Sequence, residues 1–241
     1  EAEAFAAEPY PRPLAGDIML YTSGTTGRPK GVKRAFPADE PPPTMIGRMG
    51  MQMIETFTSE SDRGGTHLVA CPLYHVAPCT YSDGALLLGA DVVLMESFDA
   101  EEFLELVERH RVTSTFLVPT QFVRLLRLPE KTRQRYDLSS LKLVMHGAAP
   151  VSVPVKEEMI AWLGPVLFEF YGGTEGGGVM IDSRAWLAHK GSVGRPRPGL
   201  DVHILDDEGN AVSTGEAGSV YFAGEESPFE YKDDPEKTAE A

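Results

Sequence analysis

The sequence predicts an α/β protein, a largely parallel sheet with crossover helices followed by a C-terminal β-rich lobe. Two observations carry this. Between Asp91 and Tyr171, β-branched runs alternate with amphipathic ones, the order of strands joined by right-handed helical crossovers. After Lys190 the alternation gives way to turns and period-two segments, the texture of antiparallel hairpins. Residues 1–190 therefore read as an α/β core and residues 191–241 as the β-rich lobe.

The elements follow in order. Ile18 to Tyr21 is a short strand, and Ala38 to Thr44, with Pro41-Pro42-Pro43, is a connector that cannot be regular structure. Methionine-rich Met45 to Phe57 suits a helix, and His67 to Ala70 a strand. Val92 to Met95 is a strand; Asp99 with Glu102 opens a helix as a capping box, with Phe103, Leu106, Val107 and His110 on one face. Val112 to Val118 is a strand stopped by Pro119, and Thr120 is a candidate cap for a helix that buries Phe122, Leu125 and Leu126. Leu141 to Met145 runs into His146-Gly147-Ala148-Ala149-Pro150. Pro154 suits a helix first turn, Val155, Met159 and Trp162 form its stripe, and Gly164 ends it. Val166 to Tyr171 is a strand leading to a loop, Gly172 to Gly178. Leu200 to Leu205 and Gly218 to Ala223 pair about a turn at Asp206 to Asn210.

Three successive strands thus end in unusual loops, on the carboxyl edge where open parallel sheets bind ligands. The run YTSGTTGRPKGVKR, Tyr21 to Arg34, concentrates glycines, hydroxyls and the cations Arg28, Lys30, Lys33 and Arg34. Freed amides, hydroxyl donors and ammonium groups surround polyphosphates, and each charge-assisted contact contributes roughly 1.5–3 kcal/mol. It is not a Walker loop, because Pro29 stands where the second glycine of that motif belongs.

Charge and composition narrow the partners. A formal net charge of -14 over 241 residues opposes a nucleic-acid or anionic-membrane surface but not ATP, which a local basic cluster can hold. Cys71 and Cys79 are too few and too far apart for a zinc or redox motif, which suits a reducing, cytoplasmic setting. No apolar run reads as a transmembrane span and no stretch as a signal peptide. Glu175 at a strand end could bind Mg²⁺ beside phosphate or be an exposed loop glutamate. His75 alone fits a core or rim histidine more often than a catalytic one. Ala148 and Ala149 leave room for a planar base, or simply pack. No H-E-x-x-H or G-x-S-x-G pattern occurs.

Taken together, YTSGTTGRPKG, PLYH, HGAAP, YGGTEGGG and GSVGRPRPG resemble, in order and spacing, the adenylate-forming (AMP-binding) superfamily, in its acyl-CoA synthetase or fatty-acid-CoA ligase branch. The resemblance implies an enzyme that activates a carboxylic acid with MgATP to an acyl-adenylate and pyrophosphate, then passes the acyl group to coenzyme A. It implies that Thr22, Ser23, Gly24, Thr25, Thr26, Gly27 and Lys30 wrap the β- and γ-phosphates. Gly147, Ala148 and Ala149 would lie against adenine, with Tyr171 stacking and Gly172 beside it. Thr174 would contact the α-phosphate and Glu175 bind Mg²⁺. His75, Gly173 and Gly176 would border the acyl group.

Amino-acid-activating relatives look like F-D-x-S near PLYH. Leu73-Tyr74-His75 supplies no carboxylate, so an uncharged, fatty tail is favoured, and Gly173 could widen its channel. The same comparison makes the chain the central part of a synthetase. The ribose-binding aspartate and the C-terminal domain with its adenylation lysine are expected to lie outside it, and Lys232 and Lys237 match other positions. An acyl-AMP ligase serving a carrier protein and an inactive nucleotide-binding module are the alternatives.

Overall fold

A computed structural model describes residues 18–22, 29–34, 45–57, 64–196, 199–224 and 229–240. The connector at 38–44 and the acidic start of the chain lie outside them.

Strands β1 (Leu20–Thr22) and β2 (Lys30–Arg34) pair antiparallel, Thr22 opposite Lys30. Helix α1 (Met45–Phe57) has the predicted bounds. Strand β3 (Thr66–Val69) leads to α2 (Val76–Leu87), which no periodicity in the sequence announced. Pro78 is tolerated there because it falls in the first turn, where backbone N–H groups have no helical partner. Glycines explain the rest. A Cβ on Gly84 would stand 2.3 Å from the Gly50 carbonyl carbon, and one on Gly50 only 1.9 Å from the Thr80 oxygen. The two helices therefore cross with their backbones in contact.

The α/β alternation follows as expected. Strand β4 (Asp91–Leu94) precedes α3 (Ala100–His110), whose Asp99 cap accepts from the Glu101 and Glu102 amides, both at 3.0 Å. Its buried face is Ala100, Phe103, Leu104 and Val107; His110 is exposed, contrary to expectation. Strand β5 (Ser114–Leu117) runs into α4 (Pro119–Leu126). Thr120 is not the cap. Val118 occupies that position, and the Gln121 amide oxygen accepts from the Val118 N–H at 2.8 Å. A short helix α5 (Glu130–Arg133) precedes β6 (Leu143–His146) and α6 (Val153–Leu163), which ends at Gly164 with φ 85°.

Strand β7 (Leu167–Gly173) is longer than expected and turns directly into β8 (Gly176–Asp182). The YGGTEGGG segment is thus the tip of an antiparallel hairpin rather than a free loop. Helix α7 (Ser183–Ala188) leads to β9 (Arg195–Pro196), which pairs with β8. Gly194 permits this: a Cβ there would lie 1.9 Å from the Met180 oxygen.

The main sheet has seven strands in the order β4-β3-β5-β6-β7-β8-β9, parallel from β4 to β7 and antiparallel beyond. Period-two alternation divides its residues between two helical layers. Leu117 and Val144 pack with α3, α4, α6 and Trp186, while Phe116, Leu143 and Met145 pack with α1 and α2. Residues after 196 contribute to separate sheets. Strands β10 (Asp201–Leu205) and β11 (Ser219–Ala223) pair with each other. Strand β12 (Phe229–Tyr231), followed by α8 (Pro235–Glu240), returns to pair with β2, Tyr231 opposite Val32.

Candidate functional site

The loops after β6 and β7 meet at the carboxyl edge of the sheet. Gly147 lies so close to β7 that a Cβ would stand 2.5 Å from the Phe170 oxygen. It is buried, while Ala148 and Ala149 beyond it are exposed. Ala148 holds a left-handed φ of 69°, a conformation that costs a non-glycine residue of order 1–3 kcal/mol and recurs at ligand sites. Tyr171, one residue past Phe170, is 43% exposed, its ring centroid 6.2 Å from that of Phe222. Gly172 keeps the hairpin backbones close, because a Cβ there would stand 2.8 Å from the Gly177 backbone oxygen and 2.6 Å from the Phe170 ring.

The hairpin tip carries Thr174 and Glu175, both partly buried. The Tyr231 hydroxyl donates to Glu175 Oε1 at 3.1 Å, and Lys30 Nζ sits 4.5 Å from the centroid of the same Tyr231 ring. Burial, then the bond to Glu175, raises the Tyr231 phenol above its ordinary range. Lys30 and Glu175 are thereby brought to one place. Thr22 stands opposite Lys30 across the β1–β2 pair. Ser23, Gly24, Thr25, Thr26 and Gly27 lie outside the described residues, as do Arg28 and Arg197.

Glu175 is a single carboxylate, and no group of three or more His, Cys, Asp or Glu side chains forms a metal cluster among the described residues. One carboxylate suits Mg²⁺, which keeps several waters and takes phosphate oxygens as further ligands. Zinc or calcium cages need more protein ligands than this.

Behind the hairpin, Gly173 and Gly176 border an apolar pocket of about 50 Å³, walled by Met49 and Met53 of α1, Ala77 and Tyr81 of α2, and Phe170. His75 stands outside its lining. It caps the start of α2, exposed, with its ring 4.6 Å from that of Tyr74. A cleft of about 740 Å³ between Ile18, Met19 and α8 includes Tyr231 in its lining, but among the described residues Lys30, Thr174 and Glu175 do not line it.

Sequence reasoning missed a buried polar cluster beneath these loops. Lys156, fully buried in α6, donates to Glu169 Oε2 of β7 and lies 4.8 Å from the Trp186 ring centroid. Burial lowers the lysine pKa and the glutamate opposes that shift. His146 Nε2 is 4.0 Å from the same carboxylate oxygen. Burial first, then the Lys156 charge, pulls the His146 pKa down to about 3. The imidazole is therefore neutral, and the contact is not an ion pair. Nothing in the sequence flagged Lys156, because one lysine in a helix normally reads as surface. A second brace is Gln121, whose Nε2 donates to the Ala70 oxygen at 2.7 Å while its Oε1 accepts from Cys71 Sγ at 3.2 Å. Burial raises the Cys71 pKa, so it is a structural thiol.

No helix among the described residues is long and apolar enough to cross a membrane. A family model for AMP-binding enzymes matches residues 4–227. The chain is 33% identical over 246 residues to a feruloyl-CoA synthase from Amycolatopsis sp, covering 100% of this chain and 48% of that protein. It is 32% identical over 246 residues to the medium/long-chain-fatty-acid–CoA ligase FadD8 of Mycobacterium tuberculosis, covering 93% and 39% respectively. The chain thus spans about half, or less, of these relatives. The structure of o-succinylbenzoate coenzyme A synthetase from Bacillus subtilis in complex with ATP and magnesium ion superimposes with a TM-score of 0.71 at 26% identity, over 92% of this chain and 44% of that one. With strand order, loop placement and sequence in agreement, the chain belongs to the AMP-binding enzyme family.

Proposed function

We propose that this chain carries the ATP- and acyl-binding part of an ATP-dependent acyl-CoA ligase, an acid–thiol ligase acting in the cytoplasm. The observation that supports it most directly is that Lys30, over the ring, and Glu175, on the hydroxyl, both contact the Tyr231 side chain in a member of this family. The substrate is a carboxylic acid with an uncharged tail, consistent with the apolar lining beside Gly173 and Gly176. The relatives' names span an aromatic acid and fatty acids, and a fatty acyl group is our preferred reading.

Lys30, Thr22 and the donors from Ser23 to Gly27 hold the β- and γ-phosphates. Gly147, Ala148 and Ala149 face the adenine, Tyr171 stacks on it, Gly172 lets the backbone approach, and Thr174 donates to the α-phosphate. A substrate carboxylate oxygen attacks the α-phosphorus, the bond to pyrophosphate breaks, and an acyl-adenylate results. The thiol of coenzyme A then displaces AMP. Mg²⁺, when bound with ATP, neutralises phosphate charge; Glu175 is the residue that would hold it. Lys30 adds fixed positive charge where the leaving group becomes more negative, which is preorganised electrostatic stabilisation. Gly173 and Gly176 border the acyl group; His75, exposed at the start of α2 and outside the pocket lining, is given no contact with it.

In the polypeptide carrying this chain, Glu175→Gln should lower carboxylate-dependent ATP–pyrophosphate exchange by orders of magnitude. Exchange near the wild-type rate would remove Glu175 from the mechanism.

A further inference from the structure

We propose that Tyr231 is a positioning residue that holds the Glu175 carboxylate by its hydroxyl and the Lys30 ammonium on its ring face, presetting both groups for the metal-bound triphosphate. This rests on the functional reading above. The hydroxyl occupies Glu175 Oε1 at 3.1 Å, leaving Oε2 as the carboxylate's other acceptor. The ring lies 4.5 Å beneath Lys30 Nζ, within the range of a cation–π attraction. One side chain thus touches both groups without needing to touch nucleotide.

The backbone of Tyr231 is anchored on two sides, as a positioning residue requires. Tyr231 pairs with Val32, and the next amide, Lys232 N–H, donates to the Gly31 oxygen at 2.8 Å. On the other side Tyr231 N–H donates to Thr238 Oγ1 at 2.9 Å, and that hydroxyl donates to the Asp234 oxygen at 2.9 Å. Strand β12 is thereby fixed to β2, the strand that begins with Lys30. A phenol, whose ordinary pKa is about 10, is protonated near neutrality, so the Tyr231 hydroxyl is a donor to Glu175. Phe229, edge-on to the Tyr231 ring at 5.2 Å, limits its tilt.

Calorimetric titration of MgATP and of AMP tests this in wild type, Tyr231→Phe, Glu175→Ala, Lys30→Ala and the Tyr231→Phe/Glu175→Ala double variant. Tyr231→Phe keeps the ring and its packing, and unchanged thermal unfolding verifies that. We expect it to weaken MgATP binding by about threefold to tenfold, the net scale of one intramolecular hydrogen bond, while AMP binding is unchanged. Placed on Glu175→Ala, it should cause no further loss, because its partner is gone. Equal weakening in both backgrounds, equal weakening for AMP, or no effect of Tyr231→Phe would overturn the positioning role while leaving the functional reading intact. If Lys30→Ala and Glu175→Ala both bind MgATP as wild type does, the functional reading falls and this inference with it.

Discussion

Lys156 and Glu169 form an ion pair inside the protein, with side chains 0% and 8% exposed, that ties helix α6 to strand β7. Two residues beyond Glu169, the same strand presents Tyr171, and two residues beyond the His146 that flanks the pair comes Ala148. The pair therefore braces both loops that form the upper wall of the site. Burial of two charges is costly, and their attraction offsets that cost only while both are present.

Removing one partner should accordingly be worse than removing both. Lys156→Ala leaves a buried carboxylate unpaired and should cost about 3–5 kcal/mol in denaturant unfolding. Lys156→Met combined with Glu169→Leu should recover most of that loss. A double variant no more stable than the single one would show that the pair is not the source of the effect.

Two buried histidines make stability depend on pH. Burial lowers His146 to about 3 and His67 to about 4, from an ordinary value of 6.5. Below 6.5 the unfolded chain binds protons that the folded protein refuses. Stability should be complete above pH 6.5, fall as pH drops toward 4, and level off for each histidine below its folded value. The slope is at most about 1.4 kcal/mol per pH unit for each. Urea unfolding at several pH values measures it, and His146→Phe should reduce the slope to the His67 share between pH 6.5 and 4 and remove the histidine share between pH 4 and 3.

Gly84→Ala should separate α1 from α2. The new Cβ would meet the Gly50 carbonyl carbon at 2.3 Å and the Met51 nitrogen at 2.4 Å, both backbone atoms that cannot rotate away. We expect a loss of about 1–3 kcal/mol, read as a lower Tm. Acyl selectivity should change as well, since Met49, Met53, Ala77 and Tyr81 of these helices wall the apolar pocket. An unchanged Tm would mean the helices separate freely.

Much of the fold was legible because local signals agreed with the tertiary structure. Asp99 caps α3, Gly164 ends α6, and strand β5 falls inside the Val112–Val118 run and ends before Pro119. Helix α2 was not legible, because Pro78 and Gly84 disrupt its pattern and only the crossing with α1 gives the glycine its purpose. The stripe of α6 was legible in part: Met159 is fully buried and Val155 and Trp162 pack partly buried against the same core, but Lys156 and Ile160 were not legible. Its buried face centres on Lys156, Met159 and Ile160, and a lysine enters a core only when a distant carboxylate is there to meet it.

The candidate site divides in the same way. Composition and spacing alone determined that the glycine-rich segments follow strands of a parallel sheet, and hence that they share one edge. The tertiary structure decided that the last glycine-rich segment is a hairpin tip, that Gly173 and Gly176 back onto a pocket while His75 does not, and that Tyr231 joins Lys30 to Glu175. Local sequence can encode a turn, a cap or a strand, because those depend on neighbouring residues. The meeting of Tyr231 with β2 and with the β7–β8 tip depends on pairing between opposite ends of the chain, and only the folded structure brings those ends together.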